Sequence, residues 1–148
     1  MLYISSDHRG FEAKDQIKSF LETAGIEYED LGPFELNPDD DYPDFAFTLG
    51  EKVAENEVDR GILLCGSGVG ICIAANKVRG IRAAYAESKE HAIKAREDDD
   101  TNVLVLDVMT FDPTKDFPLI EAWLNTSFSN VERHKRRVEK IKEYEMQN

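Results

Sequence analysis

Two rhythms of hydrophobic residues alternate along this chain. Short apolar runs of strand length occur at Met1–Ser6, Ile26–Leu31, Arg60–Cys65, Ile81–Tyr85 and Val103–Leu106. The last is unbroken, Val103-Leu104-Val105-Leu106, as expected of a parallel strand covered on both faces. Between the runs the apolar positions recur at helical spacing. Ala13, Ile17, Phe20, Leu21 and Ala24 predict a helix from about Phe11 to Ala24, stopped by Gly25. Phe45, Leu49 and Val53 predict a second, capped by Asp44 and running to about Asn56. Small residues from Ile71 to Asn76 predict a short, tightly packed helix. Ser88 caps another, to about Glu97. Thr114–Leu124 and Val131–Glu145 complete the set. Phe34–Pro43, with Asp39-Asp40-Asp41, and Asp98–Asn102 read as acidic loops. No repeat or low-complexity linker interrupts the pattern. Alternating strands and helices predict an α/β fold: a doubly wound, five-stranded parallel sheet with helices on both faces and one more helix at the C-terminus.

Composition narrows the class. A length of 148 residues suits one domain, spanning 1–148, with a real core. Charged residues are 32% and hydrophobic ones 41%, as in soluble globular proteins. No apolar run reaches the roughly 18 residues of a membrane span. The chain opens on a strand-like segment rather than a signal peptide, and its two cysteines form no disulfide framework. A reduced, cytoplasmic setting is expected. The net charge of −12 argues against nucleic acid and anionic membranes as partners. An anionic small substrate would need a local cationic site.

The most informative stretch is Gly61 to Lys77. A buried run ending in Cys65 meets a glycine turn, Gly66-Ser67-Gly68-Val69-Gly70, and then the small-residue helix. Strand, glycine turn and helix build an anion pocket, because backbone N–H groups can approach a ligand closely. The pattern is neither a dinucleotide fingerprint, since Ile71 stands where its last glycine belongs, nor a P-loop, since no Gly-Lys-Ser/Thr follows. It adds a thiol, Cys65, at the carboxyl end of a strand, where α/β sheets bind ligands, and a hydroxyl, Ser67. A thiol facing N–H groups is expected to have a lowered pKa. Cys72, inside the following helix, reads as core.

Other polar groups lie at element ends: Asp7-His8, Asp41-Tyr42 and Asp98-Asp99. They are expected to converge with Cys65 at the carboxyl edge of the sheet. Arg133 and Arg137 share one helix face, a spacing that suits phosphate as well as an ordinary basic surface shared with Arg136 and Lys140. A thiolate among N–H donors allows two chemistries. One is nucleophilic acyl transfer with a nearby His. The other is proton abstraction beside a carbonyl, with the N–H groups stabilising an enediolate.

Several segments together resemble the ribose-5-phosphate isomerase B family, which includes the galactose-6-phosphate isomerase subunits. They are Ser6-Asp7-His8-Arg9-Gly10-Phe11, Asp41-Tyr42-Pro43, Gly61 to Lys77, Gly80-Ile81-Arg82-Ala83-Ala84, Asp100-Thr101-Asn102-Val103-Leu104, and Glu132-Arg133-His134 through Arg137-Val138. The resemblance spans nearly the whole chain. It implies a Rossmann-like homodimer or tetramer with active sites at the subunit interface, and no metal or cofactor. The implied reaction is aldose–ketose isomerisation of a sugar phosphate through a cis-enediolate. Cys65 would be the base and Ser67 the proton shuttle. N–H groups of Gly66, Gly68 and Gly70 would stabilise the enediolate. Asp7 would bind sugar hydroxyls, and His8, Arg133 and Arg137 the phosphate. Tyr42 and Asn76 match positions near the site.

Two positions depart from the family pattern. Asp98 and Asp99 replace a His-Asn pair, and the His is the residue credited with opening the furanose ring. An ordinary Asp is a poor proton donor at neutral pH. Met109, in Asp107-Val108-Met109, stands where some members carry a phosphate-binding Arg. Ribose 5-phosphate is the expected substrate. Another aldose phosphate, such as a six-carbon one, and a non-catalytic phosphosugar-binding role are the alternatives.

Overall fold

The computed structural model describes all 148 residues. Strands β1 (Leu2–Ser6), β2 (Glu29–Asp30), β3 (Arg60–Cys65), β4 (Ala83–Tyr85) and β5 (Val103–Asp107) form one parallel sheet in the order β2-β1-β3-β5-β4. Helices α1 (Phe11–Thr23), α2 (Tyr42–Ala54), α3 (Val69–Ala75), α4 (Lys89–Asp99), α5 (Pro113–Asn125) and α6 (Glu132–Gln147) connect and follow the strands. This is the doubly wound, Rossmann-like arrangement.

Strand geometry divides the core in two. Successive side chains point to opposite faces, so each central strand feeds both. Ile4, Ile62, Leu64, Leu104 and Leu106 pack with Ile17 and Leu21 of α1, Ala92 of α4, and Leu119, Ile120 and Trp123 of α5. Tyr3, Leu63, Cys65, Val103 and Val105 pack on the other face with Ala46, Leu49 and Val53 of α2 and Ile71, Ala74 and Ala75 of α3. No helix is long and apolar enough to cross a membrane.

Several boundaries move from their predicted places. The second strand pairs only at Glu29–Asp30, while Ile26 and Tyr28 before it pack on the core without joining the sheet. Helix α2 begins at Tyr42 rather than after Asp44, with Asp41 at its N-cap position. Pro43 sits in the first turn, where its missing N–H costs nothing, so the helix need not wait for it to pass. Helix α3 starts at Val69, two residues earlier than expected. Helix α4 runs through Asp98 and Asp99 and ends on Asp100, which adopts a left-handed conformation at φ 48°. The first two residues of the predicted loop, Asp98 and Asp99, are therefore part of the last turn of a helix. Gly25 does stop α1 with φ 70°, and Ser88 does cap α4, accepting from the N–H of His91.

The edge strand β2 is tied to α1 by a buried ion pair. Lys14, only 1% exposed, donates from Nζ to Asp30 Oδ1 at 2.8 Å and to the Pro33 carbonyl at 2.7 Å. Lys18 reaches the other oxygen of Asp30 at 2.9 Å from a more exposed position. Removing Asp30 leaves the Lys14 ammonium buried without its counter-charge. Asp30→Ala is expected to cost about 3–5 kcal/mol, and Lys18→Ala less than about 1 kcal/mol, both read from denaturant unfolding midpoints.

Candidate active site

The chain leaves β1 and β3 in opposite directions. From β1 it passes into α1, on one face, and returns as outer strand β2; from β3 it passes into α3, on the other face. The carboxyl ends of these neighbouring strands therefore border an open crevice, the usual ligand position in such sheets. Asp7 directly follows β1 and Cys65 ends β3.

These two residues are in contact. The Cys65 thiol donates to Asp7 Oδ2 at 3.2 Å. Asp7 is 3% exposed, and its Oδ1 accepts from the N–H groups of Arg9 (2.9 Å) and Gly10 (3.2 Å), capping a single 3-10 turn at His8–Gly10. Burial, and then the hydrogen bond and charge of Asp7, push the Cys65 thiol up to about 11, while the N–H groups of Gly66 and Gly68 pull the other way. The expected lowering of this pKa is thus reversed, because the thiol is buried and faces a carboxylate as well as N–H donors.

Gly68 takes φ 76°, a left-handed conformation that lets the loop turn sharply into α3. Ser67 is exposed at the loop's tip, its Oγ accepting from the N–H of Val69 at 3.3 Å. The Tyr42 ring lies over Gly70, where an added Cβ would come within 2.6 Å of it. His8 is held by Asp40, whose Oδ1 accepts from the His8 backbone N–H at 3.1 Å and lies 2.6 Å from Nδ1. This leaves Nε2 of His8 for a ligand. Asp7, His8 and Asp40 are also the one trio of metal-ligand type whose donor atoms lie within 4.8 Å of each other. Both oxygens of Asp7 and Nδ1 of His8 are already engaged, and Oδ2 of Asp40 is buried without a partner.

The remaining predicted residues do not converge here. Asp98 and Asp99 end a helix that leads into a parallel strand, so they lie toward the amino edge of the sheet. The six residues of β3 set the two edges about 20 Å apart. Asp98 instead lies 3.6 Å from Nε2 of buried His134 on α6, whose Nδ1 is 2.7 Å from Ser129 Oγ. Arg133 and Arg137, both exposed, stand on that same helix. Asn76 is also outside the crevice. Its side chain donates to the Ala83 carbonyl (2.9 Å) and accepts from the Ala83 N–H (2.8 Å), locking the end of α3 to β4.

Residues 2–141 match the family described as Ribose/Galactose Isomerase. This chain belongs to that family. A Mycoplasma pneumoniae protein named probable ribose-5-phosphate isomerase B is 44% identical over 144 residues, covering 97% of this chain and 94% of the relative. A Bacillus subtilis protein named putative sugar phosphate isomerase YwlF is 43% identical, with 98% and 97% covered. Among solved structures, ribose-5-phosphate isomerase B from Mycoplasma genitalium, crystallised with bound ribulose 5-phosphate, superposes with a TM-score of 0.94 at 41% identity, covering 99% of this chain and 97% of that one.

Three residues of this Ribose/Galactose Isomerase family member border the crevice although the sequence pattern does not mark them as site residues. Arg9 drapes over Gly66. Asp40 orients His8. Asp107, paired in register with Cys65, accepts from Tyr85 Oη at 2.6 Å and from Thr110. Asp40 lay in a run of three aspartates that sequence cannot tell apart. Asp107 was marked only by its place after an apolar strand.

The Cys65–Asp7 bond has a measurable consequence. With its pKa near 11, the Cys65 thiol is protonated at pH 8 and gains reactivity as pH rises. Asp7→Asn keeps the Oδ1 cap but removes the charge that holds the proton on sulfur. Each unit of lowered pKa raises the thiolate fraction about tenfold, so Cys65 alkylation by iodoacetamide at pH 8 is expected to accelerate by about that factor or more. Mass spectrometry of the labelled peptide reads it.

Proposed function

We propose that this chain interconverts ribose 5-phosphate and ribulose 5-phosphate through a cis-enediolate, with Cys65 as the base. It is an aldose–ketose isomerase of the Ribose/Galactose Isomerase family, and the bound ribulose 5-phosphate of the Mycoplasma genitalium relative supports the choice of substrate. The observation that carries the mechanism is the 3.2 Å contact between Cys65 Sγ and Asp7 Oδ2 beside the N–H groups of Gly66 and Gly68.

Cys65 passes its proton to Asp7, and the thiolate then removes the proton from C2 of the open-chain aldose. Negative charge develops on the enediolate oxygens. Preorganised N–H groups of the Gly66–Gly70 loop stabilise it at no cost in reorganisation. Ser67, at the loop tip, moves the proton between O1 and O2. Cys65 returns its proton to C1, giving the ketose, and the thiol is restored from Asp7. Tyr42 covers the loop, and Nε2 of His8 faces the phosphate.

Arg133, Arg137, Asp98 and Asp99 serve the site of a second copy. Within one chain they stand at the far end of the sheet from Cys65, so they reach an active site only across a subunit interface. Exposed apolar side chains support one. Val69 and Ile73 on the outer side of α3 are 61% and 58% exposed, and Ile141 and Tyr144 on α6 are 45% and 69% exposed. Ile141 and Tyr144 line a groove of about 980 Å³ that runs along Ala83 and Ala84 of the edge strand β4. An apolar surface along a free sheet edge suits burial against a symmetric copy. Asp98 beside His134 takes the ring-opening position. The alternative, a phosphosugar-binding protein without turnover, draws on Asp98 and the uncharged Met109.

Turnover in D₂O separates the readings. Wild-type protein is expected to convert ribose 5-phosphate with solvent deuterium appearing at C1 of ribulose 5-phosphate. Cys65→Ala is expected to lose about 10²–10⁴-fold in kcat, the usual worth of a positioned base, while still binding the sugar phosphate. Binding without turnover in the wild type selects the binding-protein reading. Turnover of other aldose phosphates alone changes the substrate.

A further inference from the structure

We propose that Arg9 grips the substrate's phosphate from the same subunit that supplies Cys65, and so sets this chain's affinity for phosphorylated over neutral sugars. The inference rests on the sugar-phosphate isomerase reading and adds a residue to it.

Arg9 sits in the 3-10 turn that packs on the end of β3. Its backbone is fixed, because its N–H donates to Asp7 Oδ1 at 2.9 Å. Its side chain runs across the first glycine of the loop. A Cβ added to Gly66 would meet Arg9 Cδ at 2.8 Å and Nη1 at 2.9 Å. The guanidinium therefore lies directly over the glycine that follows Cys65, at the crevice, with its side chain exposed to solvent.

This guanidinium is uncommitted. It forms no salt bridge and no side-chain hydrogen bond, in a chain with 30 acidic and 18 basic residues. The arginines with structural duties look different. Arg60 donates to the Leu124 carbonyl, Arg82 to Asp100, and Arg96 to Asp100 and the Thr101 carbonyl. The other free arginines, Arg79, Arg133, Arg136 and Arg137, lie after α3 or on α6, away from Cys65.

The charges around it favour an anion. The other cationic candidate at this edge, His8, already faces Asp40 at 2.6 Å, so its positive form has a counter-charge. Asp107, the carboxylate at the end of β5, has both oxygens occupied by Tyr85 and Thr110. Across Gly66 from Arg9 stands Met109, whose N–H donates to the Gly66 carbonyl at 3.3 Å and whose uncharged side chain is 74% exposed. Residues 9 and 109 thus flank one glycine, and the cation is on the β1 side. A planar guanidinium with free N–H donors matches phosphate oxygens in pairs, which an ammonium does not.

The test compares wild type, Arg9→Ala, Arg9→Lys and Arg9→Ala/Met109→Arg. Steady-state kinetics with ribose 5-phosphate and inhibition by inorganic phosphate are measured, with binding of inorganic phosphate also followed by calorimetry. Loss of a charge-assisted contact is expected to raise KM and the phosphate inhibition constant together, by about 10- to 100-fold, with kcat changing much less. Arg9→Lys restores part of the loss, and Met109→Arg restores part of it from the other side of Gly66. Unchanged phosphate inhibition in Arg9→Ala overturns the proposal. So does a fall in kcat at constant phosphate inhibition, which would place Arg9 on the reacting carbons instead. If the wild type binds phosphate but turns over no ribose 5-phosphate, calorimetry alone decides Arg9, and the isomerase reading fails separately.

Discussion

Two adjacent parallel strands whose chains depart to opposite faces cannot close the space between their carboxyl ends. That constraint, set where β1 and β3 pair from Leu2–Arg60 to Ser6–Leu64, organises everything functional on this side of the molecule. It places Asp7 and Cys65 side by side at the mouth of a crevice whose floor is a packed core. It also places the first glycine loop where its N–H groups and the Arg9 side chain share one small volume with the thiol. Buried neighbours on both faces hold these strand ends rigidly, as preorganised catalysis requires.

The electrostatics of the crevice oppose those of the whole chain. Overall the protein carries −12, a field against which the proposed sugar phosphate would have to approach. Locally the carboxylates are spent on protein partners: Asp7 on the turn and the thiol, Asp40 on His8, Asp107 on Tyr85 and Thr110. What remains available is donors, namely loop N–H groups, the far nitrogen of His8 and the Arg9 guanidinium. A buried thiol held protonated by Asp7 is also a guarded one, since the thiolate is the reactive form. Transfer of that proton to Asp7 only when a ligand fills the crevice would couple reactivity to occupancy.

Much of this was legible in the sequence, for identifiable reasons. The alternation Ile62-Leu63-Leu64-Cys65 is a strand feeding two cores, and it is one. Gly25 and Ser88 mark helix ends through conformations and hydrogen bonds that few other residues supply. What failed was position in space. Asp98 and Asp99 were expected beside Cys65, because polar residues at element ends look alike in one dimension. Only topology distinguishes the end of a strand from the approach to one. Asn76 was misplaced for a related reason: a side-chain amide that pairs with backbone reads the same as one that waits for a ligand. The thiol's pKa was expected to fall because the N–H donors lie next to it in sequence, whereas Asp7 reaches it across the sheet. Arg9 is only one letter of a motif in the sequence, since nothing local says where a long side chain will lie.

The central claim is that the crevice of one chain is completed by the far end of another. Mixing two impaired variants tests it most directly. Cys65→Ala destroys the base and Arg137→Ala the distal cation, and each alone is expected to be severely impaired. When the two are unfolded together and refolded as a mixture, about half of a population of symmetric dimers becomes hybrid, with one site intact, so activity should return to about a quarter of the wild-type level. A mixture that stays as inactive as its components would mean that Cys65 and Arg137 serve the same chain's site, or that no shared site exists, and would contradict the account.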